Sequence, residues 1–325
     1  MKIFLRSHFA LLFMVIVQGG FTWLYFWFLG FQGWGHVLYV LLMQIILLCI
    51  YLAYRWMNDS QLYKWITTDE NKLRYIPSFG NGYFNKVLHQ KIIEEKDAAD
   101  QLILEGEAEI KEKATFMNQW VHQMKTPISV IQLMIQDYDD PVFQDIRKEI
   151  YKLEMGLKTV LYSSRLSLFE KDYQIERIPI NTFIKELVKE NKSLFFQFKV
   201  YPNMIMDDQD LYILSDKKWI KFVIEQVLSN ALKYSTEKSN KVDIRLAKQN
   251  EQVILTITDY GIGIPEQDVK RVFEPYFTGV NGRKYHESTG MGLYLVKEIL
   301  NRLAHDFSID TEINKGTSFS IIFNV

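Results

Sequence analysis

The stretch Asp259-Tyr260-Gly261-Ile262-Gly263-Ile264 decides the fold of the C-terminal half of this chain. It follows the segment Val253 to Asp259, whose alternation of apolar and polar residues predicts a β-strand. The carboxylate of Asp259 is therefore expected at a strand end, beside glycines that let a flat aromatic ring approach the backbone. Taken alone, such a segment is most often only a turn, so a functional role has to be inferred from the neighbouring segments.

Two segments downstream of this turn favour a phosphate-binding site. The first is Phe273-Glu274-Pro275-Tyr276-Phe277-Thr278, and the second, Thr289-Gly290-Met291-Gly292-Leu293, opens a predicted helix. Glycines before a helix N-terminus leave bare N–H groups and the positive end of the helix dipole facing an anion. The residues between the two segments suit a mobile lid whose cations touch phosphate, and they include Gly279, Gly282, Arg283 and Lys284.

Residues on a predicted helix upstream of the turn indicate the rest of a nucleotide site. It is expected to run from Lys217 to Tyr234, with Asp216 as its N-cap. Gln226 and Asn230 are four residues apart and share one face, where the Asn230 amide oxygen can coordinate Mg²⁺. Two further side chains can reach a nucleotide phosphate and a base edge, those of Lys233 and Tyr234. A routine amphipathic helix with exposed amides is the alternative.

From about Arg177 onward the pattern mixes strands and helices. The predicted strands are Gln197 to Tyr201, Leu211 to Leu214, Val242 to Leu246 and Val253 to Asp259. This pattern indicates a separate α/β domain over residues 177–325.

A helical hairpin is predicted before that domain. The first helix carries His122-Gln123-Met124-Lys125-Thr126-Pro127 and runs to Ile135, and the second starts with Pro141 at its first turn and runs to about Glu170. A hairpin with one apolar stripe per helix cannot bury itself alone. Two copies make a four-helix bundle, so we expect a homodimer.

His122 is the first candidate for covalent chemistry. A neutral imidazole has a ring-nitrogen lone pair free and can act as a nucleophile, giving a labile phosphoramidate that suits a relay. An ordinary surface histidine is the alternative reading. Pro127 argues against it, because a proline inside a helix removes a hydrogen bond and bends the helix, a costly feature for a purely structural bundle.

The N-terminal region is predicted to cross a membrane twice. Ser7 to Tyr54 contains no Asp, Glu, Lys or Arg, and one helix of that length would reach roughly 70 Å, more than twice the ~30 Å hydrocarbon core. Two spans, at about 9–29 and 34–54, fit instead, with Gly30, Gln32, Gly33 and Gly35 at the turn between them. A cleaved signal peptide is the alternative, although the first apolar run is too long for one.

Charge and aromatic residues orient this hairpin. Lys2, Arg6, Arg55 and Lys64 flank it while the turn has no charge, so both termini are expected in the cytoplasm. Trp and Tyr residues gather towards the span ends, as they do at lipid interfaces. Cys49 is the only cysteine, which excludes an intramolecular disulfide and a cysteine-cluster metal site.

Taken in order, these segments resemble the sensor histidine kinases of two-component systems, over about Phe116 to Thr317. The resemblance implies a dimerisation and histidine-phosphotransfer domain, followed by an ATP-binding α/β sandwich of the gyrase, heat-shock and MutL type. His122 matches the phosphoacceptor, Asn230 the magnesium-binding asparagine and Asp259 the adenine-binding aspartate. The nucleotide-loop positions of the family match Gly261, Gly263, Thr289, Gly290 and Gly292. The implied cofactors are ATP and Mg²⁺, and the implied partner is a cytoplasmic response regulator.

Two positions depart from the family pattern. Gln123 stands where the family has an acidic residue that helps remove the histidine proton, and Gln226 replaces the first asparagine of the magnesium-binding segment while keeping an amide oxygen. Thr126 matches the position that in relatives orients water for dephosphorylating the partner. Dual kinase and phosphatase action is therefore expected from the resemblance.

The short membrane hairpin is similar to the intramembrane-sensing subset of this family. That likeness implies a cue from cell-envelope stress or antimicrobial peptides, delivered through an ABC transporter, with a direct envelope sensor as the competing version. The expected organisation is a transmembrane hairpin (1–56), a helical connector (57–113), the phosphotransfer domain (114–172) and the ATP-binding domain (177–325).

Other classes of protein are less consistent with these residues. The formal net charge of −1 gives no sign of a nucleic-acid partner. A non-catalytic membrane receptor would not need the complete set of nucleotide residues, and a conformational ATPase of the same fold would need neither His122 nor Pro127. There is no GxxxxGK[ST] loop and no HRD or DFG segment of protein kinases.

Overall fold

The computed structural model describes residues 2–30, 34–67, 76–138, 140–207, 210–235, 239–279 and 289–324. The chain divides into two compact units, Met1–Glu107 and Ala108–Val325. One long helix passes from the first unit into the second.

The first unit is helical. It contains α1 (Lys2–Ser7), α2 (Phe9–Phe28), α3 (Trp34–Thr67) and the first part of α4 (Tyr83–Ile135). Both α2 and α3 are long and apolar enough to cross a membrane. The second predicted span, 34–54, is the first part of a longer helix, since α3 continues to Thr67. The first residues of the predicted connector are thus an extension of that spanning helix.

The second unit begins with an α-helical hairpin. α4 continues through Pro127 to Ile135, and α5 (Pro141–Leu166) starts at the predicted proline, capped by Asp140, whose Oδ1 accepts a hydrogen bond from the Val142 amide at 3.0 Å. The prediction that this second helix reaches Glu170 was wrong, because α5 ends at Leu166 and the short α6 (Phe169–Asp172) follows. Apolar residues of both helices form the hairpin core: Val121, Ile128, Ile135, Ile150 and Leu157.

The rest of the second unit is an α/β domain. Its elements are β1 (Glu176–Pro179), α7 (Ile180–Glu190), α8 (Lys192–Gln197), β2 (Tyr201–Met206), β3 (Tyr212–Ser215), α9 (Lys217–Ser235), β4 (Lys241–Gln249), β5 (Gln252–Asp259), α10 (Glu266–Val269), a 3₁₀ turn (Arg271–Phe273), α11 (Gly292–Arg302), β6 (Asp306–Glu312) and β7 (Gly316–Asn324). A five-stranded sheet has the order β2-β4-β5-β7-β6, with β2 parallel to β4 and the other pairs antiparallel. β1 and β3 form a separate antiparallel pair.

One face of the sheet is covered by helices. Along β5 the residues Val253, Leu255 and Ile257 are buried at alternate positions, the pattern of a strand with one face in a core. They belong to one apolar cluster with α9 and α11, which includes Trp219, Phe222 and Leu295. This packing sets α9 and α11 above the end of β5, where the acidic turn lies.

One predicted strand, Gln197 to Tyr201, was wrong. The chain forms α8 up to Gln197, passes Lys199 at φ 55°, and begins β2 only at Tyr201. Leu194 and Phe195 are both buried. Both belong to α8, and the left-handed conformation at Lys199 ends that helix and delays the strand to Tyr201.

Candidate functional site

A cavity of about 250 Å³ lies at the end of β5, between α9, the first turn of α11 and one face of α5. It brings together residues predicted from three separate segments of the sequence. The predicted residues that line it are Gln226, Asn230, Lys233, Tyr234, Asp259, Gly263, Thr289, Gly290 and Gly292.

Asp259 is the buried acid of this cavity. It is the last residue of β5 and is 6% exposed. Burial raises the pKa of its carboxyl group to about 6, although backbone hydrogen bonds from Gly261 and Thr317 act in the opposite direction. The Gly261 amide donates to Oδ1 at 3.0 Å. A carboxyl group held in this way is oriented for one more donor from the cavity, such as an exocyclic amine.

The glycines of the turn are needed for close packing. A β-carbon at Gly261 would collide with the backbone carbonyl of Tyr234 on α9, so the acidic turn can approach the helix only without a side chain. Gly261 thus lies behind the cavity and supports it. Gly290 has φ +68°, and a β-carbon there would strike the backbone at Tyr276.

Two amide side chains of α9, Gln226 and Asn230, line the cavity. Gln226 is buried at 6% exposure, and its Nε2 donates to the Thr159 hydroxyl at 3.1 Å, while Asn230 is half-buried. The Lys233 ammonium lies 5.3 Å from the centre of the Tyr234 ring. Within the described residues, no cluster of three or more His, Cys, Asp or Glu side chains suits a metal ion. A metal here would rely on amide oxygens and on oxygens of its ligand, which is acceptable to Mg²⁺.

His122 lies on the exposed side of the helical hairpin. It follows the buried Val121 on α4, and Gln123 and Thr126 are exposed as well. The described residues that line the cavity include none of these three. In this structure, therefore, His122 of the same chain does not border the cavity.

The packing of α5 against α9 was not predicted from the sequence. The Tyr162 ring stacks on Phe222 with centroids 4.1 Å apart, and its hydroxyl donates to the Lys218 carbonyl at 3.2 Å. Burial raises the pKa of Tyr162 to about 12. Lys158 pairs with Glu225 at 3.0 Å. These partners are distant in the sequence, so no local pattern indicated them.

The predicted lid is only partly described. Thr278 and Gly279 line the cavity, whereas Gly282, Arg283 and Lys284 lie outside the described residues.

Known proteins match the C-terminal domain by itself and also the chain over most of its length. Residues 215–325 match the family of histidine kinase-, DNA gyrase B- and HSP90-like ATPases. The chain is 44% identical over 324 residues to sensor histidine kinase YxdK of Bacillus subtilis, covering 99% of each protein. It is 27% identical over 295 residues to sensor protein BceS of the same species, covering 90% of this chain and 87% of BceS. With sensor protein kinase GraS of Staphylococcus aureus it shares 27% identity over 288 residues, covering 88% of this chain and 82% of GraS.

Proposed function

Because the chain belongs to the sensor histidine kinases, we propose that ATP bound in the cavity phosphorylates His122, and that the phosphoryl group then passes to an aspartate of a response regulator. The protein is a membrane sensor kinase of a two-component system, and its ATPase-type domain uses ATP. The observation that carries the proposal is the meeting of three nucleotide-binding segments around one cavity.

In the cavity, each group has a distinct task. Asp259 accepts a hydrogen bond from the adenine amine, and the glycines before α11 leave backbone N–H groups for the phosphates. Asn230 and Gln226 supply amide oxygens to Mg²⁺, which neutralises phosphate charge when bound. The oxygen-only character of these donors supports magnesium over softer metals.

His122 is the nucleophile of the proposed reaction. A ring nitrogen attacks the γ-phosphorus, the bond to the bridging oxygen breaks, ADP leaves with the electron pair, and the ring proton passes to the solvent water that the exposed His122 contacts. The exposure of His122 supports this role, since an acceptor must meet both the ATP-binding domain and a response regulator. Thr126, also exposed and one turn further on, is proposed to orient water when the kinase dephosphorylates its partner.

Gln123 cannot be the base that removes this proton, because its amide is neutral. We expect it to orient the imidazole ring by a hydrogen bond. A Gln123→Ala protein should then be inactive and a Gln123→Glu protein faster in autophosphorylation. Equal rates for both variants and the unchanged protein would contradict this role.

A second copy of the chain is the expected partner of the hairpin. Large apolar side chains remain exposed on α4 in the described chain, and they include Val130, Ile131, Leu133 and Met134. Sensor kinases in general act as dimers, and burial of these side chains in a four-helix bundle supports a homodimer here.

The membrane hairpin is proposed to receive its cue from an ABC transporter. α2 ends at Phe28 and α3 begins at Trp34, so the connection has about five residues, too few for a folded sensor domain. Both termini are proposed to be cytoplasmic, since Arg6, Arg55 and Lys64 all flank the hairpin on the side away from that turn.

The decisive experiment supplies ATP labelled on its γ-phosphate to the purified full-length protein. The unchanged protein should acquire label that is lost in acid and kept in alkali, and a His122→Gln protein should acquire none. The matched control is His36→Gln, an exposed histidine at the start of α3, which should label normally. Acid-stable label, or label that survives His122→Gln, contradicts the proposal.

The same experiment distinguishes the two alternative functions. A non-catalytic receptor would remain unlabelled, and a conformational ATPase would release phosphate without labelling itself.

A further inference from the structure

We infer that Thr159 of α5 is a positioning residue that orients the Gln226 carboxamide for the metal-bound nucleotide. The inference rests on the proposed function, because it concerns the same cavity. It assigns a role to a residue outside the segments by which the ATP site was recognised.

The hydrogen bonds of Thr159 determine which end of the amide it can hold. Thr159 is 7% exposed. Its hydroxyl donates to the Met155 carbonyl at 2.8 Å, so its only proton is already engaged. Towards Gln226 the hydroxyl oxygen can therefore act only as an acceptor, and the amide nitrogen Nε2 is found there at 3.1 Å.

This contact selects one of the two orientations of the amide. With Nε2 held by Thr159, the oxygen Oε1 is left for the cavity. The carboxamide packs against Gly292, with Oε1 3.4 Å and Nε2 3.6 Å from the position of a β-carbon there, so it is the contact with Thr159 that determines the orientation. Gly292 is the first residue of α11, and Gln226, Asn230 and Gly292 all line the cavity. In the reverse orientation an NH₂ group, which cannot bind a cation, would face the metal.

The surrounding contacts hold α5 in the position that Thr159 needs. Lys158, one residue earlier, pairs with Glu225 at 3.0 Å, and Tyr162, three residues later, stacks on Phe222. Glu225 and Gln226 are adjacent on α9. Because all these contacts join the same two helices, movement of α5 away from α9 withdraws the acceptor from Gln226.

The consequence is a link between the two parts of the kinase. α5 is the second helix of the hairpin that carries His122, so the placement of that hairpin affects the affinity of the cavity for metal-bound nucleotide. Nucleotide without metal does not depend on the Gln226 oxygen and should be insensitive to Thr159.

Calorimetric titration of the full-length protein with ADP, in magnesium and in EDTA, tests this role. Thr159→Val keeps the shape of the side chain but removes the acceptor. It should weaken binding in magnesium by about five- to tenfold, the size of one lost hydrogen bond, and leave binding in EDTA unchanged. Thr159→Ser restores the acceptor and should bind within about twofold of the unchanged protein.

Two further variants separate orientation from packing. In a Gln226→Ala background, Thr159→Val should have no additional effect, because the amide is already gone. The control is Thr115→Val on α4, since Thr115 donates to the Lys111 carbonyl in the same manner but is exposed; it should change nothing. Equal loss in magnesium and EDTA, no loss at all, or failure of serine to rescue would each overturn the inference. The readout requires no phosphoryl transfer, so missing label on His122 would overturn the proposed function without affecting this result.

Discussion

The ATP-binding domain and the N-terminal helical unit differ in how far their side chains are buried. In the domain, polar residues such as Asp216, Asp259 and His305 are buried, and the same domain contains one large cluster of buried apolar residues. In the described part of the first unit, apolar side chains such as Phe13 and Ile16 are 60% and 72% exposed, as expected for surfaces that face lipid. The cavity therefore lies in a unit with a large buried core, whereas the described part of the first unit leaves much of its apolar surface uncovered.

A group of contacts around Asn85, Asp59 and Phe79, here called the joint, connects α3 to the start of α4. The Asn85 amide donates to the Asp59 carboxylate at 2.8 Å and to the Phe79 carbonyl at 3.0 Å, which ties the end of α3 to the start of α4. Phe79 is 1% exposed and lies between Trp65 and His89, with ring centroids 5.2 and 5.3 Å away. These side chains connect α3 to the start of α4.

The largest expected effect comes from adding a side chain where two backbone segments of the ATP-binding domain are in close contact. Gly261→Ala places a β-carbon against the Tyr234 carbonyl, so we expect a loss of about 3 kcal/mol in stability and of nucleotide binding. The matched change is Gly106→Ala in α4, where no atom lies within 4 Å of the new carbon. It should stabilise the helix by about 1 kcal/mol. Thermal unfolding of both variants measures the difference, and equal effects would remove the contrast between the regions.

Asp259→Asn should separate stability from binding within the domain. Removal of a buried charge whose pKa is raised to about 6 should stabilise the unliganded protein, by up to roughly 3 kcal/mol at neutral pH. Nucleotide affinity should fall about 10- to 100-fold, because the charged acceptor is lost. Calorimetry and thermal unfolding give the two quantities. A stable variant with full affinity would show that Asp259 does not contact the base.

A smaller effect is expected at the joint of the helical unit. Asn85→Ala leaves the buried Asp59 carboxylate without its amide donor, at a cost of about 1–2 kcal/mol. Amide hydrogen exchange at the start of α4 should accelerate accordingly. The control is Gln90→Ala, whose exposed bond to Glu94 spans one helical turn and should cost less than about 0.5 kcal/mol. Equal exchange in both variants would mean that the joint does not hold the helices.

The smallest effect is a pH dependence of nucleotide binding. Adenine binding favours the ionised Asp259, whose pKa of about 6 makes the affinity fall about twofold at pH 6 and about tenfold at pH 5. The stability of the unliganded fold depends on pH in the opposite direction. A raised pKa stabilises the protonated form, so this contribution is present below about pH 4 and is lost as the pH rises through 6. Titrations at several pH values test this, and Asp259→Asn should abolish the dependence.

Local patterns predicted much of the domain and its site. The α9 helix ends within one residue of the expected Tyr234, and Asp216 caps it by accepting from the Lys218 and Trp219 amides at 2.9 and 3.1 Å. Such features depend on neighbouring residues and can be recognised in a sequence. The contact of Thr159 with Gln226 joins residues 67 positions apart. Only the packing of two helices creates it, so no periodicity or cap could have predicted it.

Location of the phosphoryl group by mass spectrometry at neutral pH tests the central claim most directly. After incubation with ATP and magnesium, digestion with trypsin yields the peptide Ala114–Lys125, which contains both His122 and Thr115. We predict one phosphoryl group on this peptide, with fragment ions that assign it to His122. A phosphoryl group on Thr115, or on any other peptide with this one unmodified, would contradict the account.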